Sequence, residues 1–480
     1  MTLSIKSIGG SFNEVPIITN LKATKITNTY VEISYNVDDV EESILRHYIT
    51  VKTTGKVIMN HVEITKQIGY ENKNASYRIE GLSLGTDYTI QIFASDGNDE
   101  TASEALHVQT ANAFIYGVRV MENNSNPETS VTYIEESVGI TPASNTSLNG
   151  WANKWPFNKV RNVSFKAGKV IKEVNKNNRK KYIDGTTVPA TVDIFTEIPK
   201  VFWKFTQIDG GYEIRISNID VDGTYRCYAH TVNGKEKDHI YVGTYLGSFG
   251  ALSRSGQYPS TNSFNTCKHS CRESGAGYQM MPFYTWSLLQ ILFIIAFKHR
   301  DADVVLGRGA TMGGNGAKQA QNGLTDEKGF IYGSKNMSYG LTDGVTFIGI
   351  ENLWGNYYQC IDGFYSDSNG NIYVSQKNAD FDNKSNYVKV GQQTTANRDG
   401  YITKVRATTE SCFLPLTIGG GSSSTYYCDK GACYKNSNYA KVGGYYYSPY
   451  EDGIFNFQSV TDDPDGNYTS QGFRICYLGV

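Results

Sequence analysis

The sequence predicts a mainly β chain with an α+β C-terminal part: a small antiparallel sandwich followed by a longer, loop-rich domain. Three observations predict this. Apolar residues alternate with period two in several runs between Pro16 and Asn112, as on half-buried strands. Glycine (48) and tyrosine (35) are abundant while proline (11) is scarce, a composition suited to strands, tight turns and contact surfaces. Only one long helical pattern stands out, at about Tyr284–Lys298.

With 480 residues the chain is long enough for two to four domains of roughly 100–200 residues each. Forty-five Lys and Arg against 47 Asp and Glu leave a formal charge of -2, so no basic field exists for nucleic acid or an anionic membrane. At 39% hydrophobic and 19% charged residues, charge-driven disorder is not expected. No basic segment followed by an apolar core opens the chain, so no signal peptide is read. The longest apolar stretch, Trp286–Phe297, is shorter than the roughly 20 residues that span a bilayer, and Ser287 and Gln290 interrupt it. A buried helix is expected there, and no membrane insertion.

Residues 1–15, with Gly9-Gly10-Ser11, are read as an arm that could dock the chain to other proteins. Residues 16–112 carry the sandwich. Val31, Ile33 and Tyr35 point one way, as do Tyr88, Ile90, Ile92 and Ala94, with turn signals such as Ser95-Asp96-Gly97-Asn98 between runs. From 113 to 480 the texture changes to longer loops holding all five tryptophans. Phe114–Val120 is a predicted strand, Lys172–Lys181 a solvated loop. Ile198–Phe205 and Tyr212–Ser217 form a predicted hairpin around Asp209-Gly210-Gly211. The helix at Tyr284–Lys298 is expected to bury one face through Trp286, Leu289, Leu292, Phe293, Ala296 and Phe297.

Motifs for catalysis and cofactors are sparse. None of the seven histidines pairs with another at i+2 or i+4, and Cys267-Lys268-His269-Ser270-Cys271 has no partner pair that completes a zinc site. The glycine run from Gly307 to Gly316 lacks the Lys-Ser/Thr ending of a phosphate loop. Asp367–Asn371 and Asp462–Asn467 read as Asp/Asn/Gly turns rather than calcium loops. The chain is therefore expected not to be an enzyme and to use no cofactor or metal. Its eight cysteines are expected mostly as reduced thiols.

Tyr77–Ile92, with Leu82, Leu84 and Tyr88, resembles the E–F corner of fibronectin type III domains. The resemblance implies that the Tyr88 hydroxyl bonds back to the upstream backbone. Tyr35 departs from that family, which usually carries Trp there. Four further segments jointly resemble the formylglycine-generating-enzyme (sulfatase-modifying-factor) branch of the C-type lectin fold. They are Gly275–Leu289 with Trp286, Ile350–Gly363 with Trp354, Gly355 and Asn356, Gly443-Gly444-Tyr445, and the closing Gly472-Phe473-Arg474. The oxidases of that branch use a cysteine pair after the Gly-Gly element, whereas Cys428 and Cys433 lie before it.

Tyr116–Pro127, Glu197–Lys204, His239–Gly247 and Ser422–Asp429 are similar to tail receptor-binding (tail-fibre) proteins of phages and prophages of Gram-positive bacteria. This resemblance implies a homotrimeric virion component, made in the host cytoplasm and mounted at the distal tail. It would be a non-covalent adhesin for a bacterial surface carbohydrate or protein. Two alternatives stay open: a formylglycine-generating-type oxidase and a structural baseplate component without receptor contact.

The residues themselves fit a contact surface. Tyr426, Tyr427, Tyr434, Tyr445, Tyr446, Tyr447 and Tyr450, with Asn436 and Asn438, are interleaved with Ser and Gly. Rigid amphipathic rings beside small hydrogen-bonding residues make a paratope-like composition. These nine residues are the candidate receptor-binding set.

Overall fold

The computed structural model of the chain describes residues 14–479 apart from 28–29, 40–44, 69–73, 84, 111–112, 312–318, 335–343, 394–397 and 449–450. Most of the arm predicted at 1–15 lies outside the described residues. The chain divides into two compact units after Phe114.

In the N-terminal unit, the strands Ile17–Ile26, Val31–Asp38 and Ala75–Ile79 form one antiparallel sheet with Val31–Asp38 central. A second sheet runs Lys56–Ile68, Leu45–Thr53, Asp87–Ser95, Glu100–Ala102, with Leu106–Gln109 also pairing Asp87–Ser95. Period-two alternation buries one face of each sheet. Val31, Ile33, Tyr35 and Val37 meet Ile49, Val51, Ile90, Ile92 and Ala94 in one apolar core. Tyr35, where a larger indole was the family expectation, directs its hydroxyl to His47 Nδ1 at 2.9 Å. Burial lowers His47 to about 4, so the imidazole stays neutral inside the sandwich. The Tyr88 hydroxyl accepts from the Ser83 N–H at 2.7 Å, five residues upstream. That bond closes the corner between two strands.

The second unit is built on three larger sheets. A four-stranded sheet places Ile115–Met121 between Val131–Glu135 and Gly211–Ser217, with Phe202–Ile208 outermost. A six-stranded sheet runs Lys169–Glu173, Arg161–Lys166, Asp193–Pro199, His239–Gly243, Ile475–Tyr477, Tyr278–Met280. A seven-stranded sheet runs Pro415–Ile418, Arg398–Val405, Lys430–Cys433, Phe457–Val460, Tyr439–Val442, Tyr358–Ile361, Gln471–Phe473. The expected hairpin around Asp209-Gly210 forms, but its first strand begins at Phe202. Ile198 and Pro199 belong to a different sheet, because the Lys200 and Val201 segment breaks the run.

The helix Phe283–Phe297 begins after Pro282 and ends where Lys298 turns left-handed (φ 53°). All fifteen of its residues are buried, not one face of it. A helix apolar all round needs protein on every side. Two of its polar side chains find partners in that interior, Ser287 Oγ donating to Phe283 O at 3.1 Å and Gln290 Nε2 to Ile454 O at 2.9 Å. Thr285 Oγ1 and Trp286 Nε1, by contrast, are buried without a hydrogen bond among the described residues. Among the described residues no helix is long and apolar enough to cross a membrane. A second helix, Phe264–Glu273, was not read from the sequence. Ser263 caps it by accepting from Thr266 N, and only Phe264, Cys267 and Cys271 face inward.

Polar residues lock the loops to these sheets. Arg474, fully buried, donates to Gln359 Oε1 and to the carbonyls of Gly243, Thr244, Glu351 and Asn352 at 2.8–3.1 Å. Glu351 accepts from Gly323 N, Thr325 N and Thr325 Oγ1, and Asn356 holds both backbone groups of Ala320 at 3.0 Å. The Trp354 indole donates to Gly307 O at 2.9 Å. The segment Glu351–Asn356 is thus a hydrogen-bonding spine that orders neighbouring irregular chain.

Candidate functional site

The tyrosine-rich segment is positioned by the seven-stranded sheet. Strand Tyr439–Val442 lies between Phe457–Val460 and Tyr358–Ile361, with Val442 opposite Gln359. Beyond it the chain must turn sharply, and Gly443 and Gly444 supply positive φ (83° and 69°). A Cβ on Gly443 would sit 2.5 Å from Leu353 O, so the turn presses directly on the spine. Gly355 N donates to Gly443 O at 3.1 Å and Tyr446 N to Asn356 O at 3.1 Å. Two distant sequence motifs, Trp354–Tyr358 and Gly443–Tyr447, therefore meet.

Their rings form one cluster. Tyr358 stacks on Tyr445 at 4.9 Å between centroids, and Tyr445 stacks on Tyr447 at 6.2 Å. Tyr446 meets Tyr445 edge-on at 5.6 Å and Tyr357 at 5.8 Å. Tyr357 and Tyr358 are the buried floor; Tyr445 and Tyr446 are half-buried, and Tyr447 is 44% exposed. Gln458 Nε2 donates to the Tyr358 hydroxyl at 2.7 Å, and Lys441 Nζ lies 4.9 Å from that ring's centre. Burial lowers the Lys441 ammonium and raises the Tyr445 hydroxyl. A ladder of locked rings with an ammonium beside it offers π faces and hydroxyl donors at small entropic cost.

The nine candidate residues do not form one patch. Tyr434, Asn436 and Asn438 sit at the opposite end of strand Tyr439–Val442, about 13 Å away at roughly 3.3 Å per residue. There Asn436 (φ 57°) donates its N–H to Asp367 O, and Asn438 its N–H to Val460 O. Tyr426 occupies a third position, left-handed at φ 61° and tied through its N–H to Ser125 O. Tyr427 is a correction: it is fully buried, its hydroxyl 2.9 Å from Glu122 Oε1 and 2.7 Å from the Tyr212 hydroxyl. The segment turns here, with positive φ at Tyr426 and Cys428 (61° and 62°), and Glu122 and Tyr212 hold the Tyr427 ring inward. Tyr450 lies outside the described residues. Sequence reasoning left out the floor residues Tyr357 and Tyr358; their signal was two adjacent aromatics directly after Gly355-Asn356.

Beneath the turn are two buried carboxyls. Burial pushes Asp452 and Asp429 well above the usual carboxylate range, and the nearby Asp303 carboxylate adds repulsion to each. A Cβ on Gly444 would collide with Asp452, and one on Gly453 with Asp429, so both glycines are required for this packing. The folded state thus holds protons that an unfolded Asp releases above its ordinary value of 3.8. This stabilisation is complete below that value and is lost as pH rises through the raised folded values. We expect stability to fall by up to about 1.4 kcal/mol per pH unit for each group still titrating. His230, which burial lowers to about 3, acts oppositely below its ordinary 6.5. The difference between Asp452→Asn and the parent isolates the carboxyl: urea midpoints from about pH 5 to about pH 8 should flatten in the variant. Equal slopes in both proteins would refute this.

Among the described residues no group of three His, Cys, Asp or Glu side chains is arranged to hold a metal. All eight cysteines are buried free thiols. Burial pushes Cys433 up to about 12 and Cys428 further in the same direction, whereas a nucleophilic thiolate needs the opposite shift. Asp367 Oδ1 accepts from the N–H groups of Asn369 and Asn371, which makes Asp367–Asn371 a hairpin turn.

Residues 16–109 match the family model of the fibronectin type III domain. The sheet pairing and the Tyr88–Ser83 corner lie inside that match. The N-terminal unit is a fibronectin type III domain. Three solved structures are similar to the chain. The sensor domain of the anti-sigma factor RsgI4 of Pseudobacteroides cellulosolvens is 20% identical (TM-score 0.16), over 20% of this chain and 94% of that one. A computationally redesigned β-sandwich protein is also 20% identical (TM-score 0.16), over 21% and 97%. A two-domain fibronectin type III segment of chicken tenascin is 16% identical (TM-score 0.18), over 38% and 89%. No curated protein matches the chain. The fibronectin type III match lies within the first unit; the tyrosine cluster belongs to the second.

Proposed function

We propose that the chain is a tail adhesin of a phage or prophage, with a lectin-like C-terminal unit that contacts the host surface. The observation that carries this reading is the locked ladder Tyr358–Tyr445–Tyr447, with Tyr446 at its side and Tyr447 outermost. Aromatic faces stack on sugar rings and on apolar side chains, and their hydroxyls supply hydrogen bonds. The lectin-like assignment is supported by the order of four segments: the Trp286 helix, the Trp354–Asn356 spine, the Gly443-Gly444 turn and the closing Gly472–Arg474 segment. The fibronectin type III domain acts as the spacer to the rest of the tail, with the N-terminal arm docking there. Trimeric display would raise avidity by roughly 10²–10⁴ over a single site. The receptor is a carbohydrate or protein of the bacterial surface.

The test is adsorption of the purified full-length chain to Gram-positive cells. The double variant Tyr446→Ala with Tyr447→Ala should lower binding by about a hundredfold while its urea midpoint moves little. Unchanged adsorption by that variant, or adsorption to no cell surface at all, overturns the reading.

A further inference from the structure

The second unit holds another cleft, of about 620 Å³, that shares no residue with the tyrosine cluster. It forms at one end of the six-stranded sheet. There Arg161 stands opposite Glu197, Pro199 opposite His239, and Glu173 lies at the end of the edge strand. The floor is a fixed array. Arg161 grips Glu197 with two bonds, Nε to Oε1 at 2.9 Å and Nη2 to Oε2 at 3.1 Å, and reaches Glu173 Oε2 through Nη1 at 3.1 Å. His239 Nε2 stands 3.8 Å from Glu197 Oε1. The Glu197 side chain is 5% exposed, whereas Arg161, Glu173 and His239 each present 37–45% of theirs to the cleft or solvent.

The chemistry of this array restricts what fits. Three of the guanidinium's five N–H groups are directed to carboxylates, so little of Arg161 remains for an incoming anion. Glu197 is largely taken up by Arg161 and the Tyr241 hydroxyl, so the acceptor with spare lone pairs on this floor is the half-exposed Glu173. Lys159, Lys176 and Arg161 nearly balance Glu173 and Glu197 in the lining, so neither a free cation nor a free anion is strongly favoured. Asn177 brings an amide that both donates and accepts, and Ile183, 62% exposed, brings an apolar surface. The volume is in the usual range for small-ligand sites, roughly 300–1,000 Å³.

We propose that this cleft is a saccharide subsite for a neutral, hydroxyl-rich glycan. Vicinal hydroxyls donate to Glu173 and exchange hydrogen bonds with Asn177, while a sugar C–H face lies on Ile183. The site is independent of the tyrosine ladder and does not rest on the adhesin reading.

The experiment is saturation-transfer NMR on the full chain with three probe sets: neutral oligosaccharides (maltotriose, N,N′,N″-triacetylchitotriose, galactobiose), a glucuronate disaccharide and a glucosamine disaccharide. At least one neutral probe should bind, and the two charged sets should bind at least tenfold more weakly. Glu173→Gln and, separately, Asn177→Ala should each weaken the neutral probe by on the order of tenfold, with the tryptophan-detected urea midpoint showing that each variant is folded. Tyr447→Ala should leave this binding unchanged. The proposal is overturned if no neutral probe binds, if a charged set binds best, if both cleft variants bind like the parent, or if Tyr447→Ala abolishes the signal.

Discussion

Replacing Arg474 with Ala is expected to destabilise the C-terminal unit by about 4–6 kcal/mol, a large share of the 5–15 kcal/mol that holds a typical domain together. The side chain is fully buried and joins five acceptors from three separate parts of the chain: Gln359, the Gly243–Thr244 strand end and the Glu351–Asn352 spine. Burial lowers its guanidinium to about 10, still charged at neutral pH. Truncation removes a donor from four backbone carbonyls and one amide oxygen in a dry interior. Thr244 O keeps the Glu351 N–H and Asn352 O keeps Gln359 Nε2, while each acceptor left unpaired costs about 1–3 kcal/mol before the structure relaxes. Lysine keeps the charge but cannot fork, so Arg474→Lys should recover less than half of the loss. The readout is urea unfolding followed by tryptophan emission. All five tryptophans lie at or after Trp151, so the fibronectin type III domain is silent in this signal. A midpoint change worth less than about 1 kcal/mol would show that the five contacts do not hold the unit together.

Tyr427→Ala should cost about 4 kcal/mol of stability, whereas Tyr447→Ala should stay within about 0.5 kcal/mol. The Tyr427 ring packs edge-on against Phe455 at 5.2 Å, and the Arg300 guanidinium lies 5.2 Å from its centre. Removing it opens a cavity and strips Glu122 of a hydrogen bond that helps hold that buried carboxyl. Tyr427→Phe keeps the ring and isolates the hydroxyl, at about 1–2 kcal/mol. The comparison separates a structural tyrosine from a contact tyrosine within one segment. If Tyr427→Ala keeps the parent's urea midpoint yet loses cell adsorption, the assignment of these two residues is reversed.

The N-terminal domain was readable because its code is local. Alternation at Val31, Ile33 and Tyr35 and at Ile90, Ile92 and Ala94 states which side of each strand is dry, and a sandwich needs little more. The larger unit was less readable. The helix Phe283–Phe297 was found, but its apolar residues at i, i+3 and i+4 suggested one buried face when every face is covered. Periodicity reports the side chains on a helix and says nothing of how many neighbours surround it. The short helix Phe264–Glu273 was missed because its polar sequence has just three inward residues and its visible signal is the single cap Ser263. The hairpin was placed correctly at its turn and wrongly at its start, since one apolar run serves two sheets.

For the candidate site, composition marked the segment without sorting its members. Serine, glycine and tyrosine in alternation identify chain that can serve as a contact surface, whichever way each ring turns. The sorting depended on partners distant in sequence: Asn356 O holding Tyr446 N, Glu122 and Tyr212 drawing Tyr427 inward, and strand Tyr439–Val442 separating Asn436 from Tyr445. On its own, the order of residues determined that the first unit is a β-sandwich and where tight turns and apolar strands lie, because steric preference and solvent avoidance act over a few neighbouring positions. Which tyrosines share a surface, and that Arg161, Glu173, Glu197 and His239 line one cleft, were decided by tertiary pairing alone. Such juxtapositions come from sheet register across long intervals of chain, and no short window of sequence contains them.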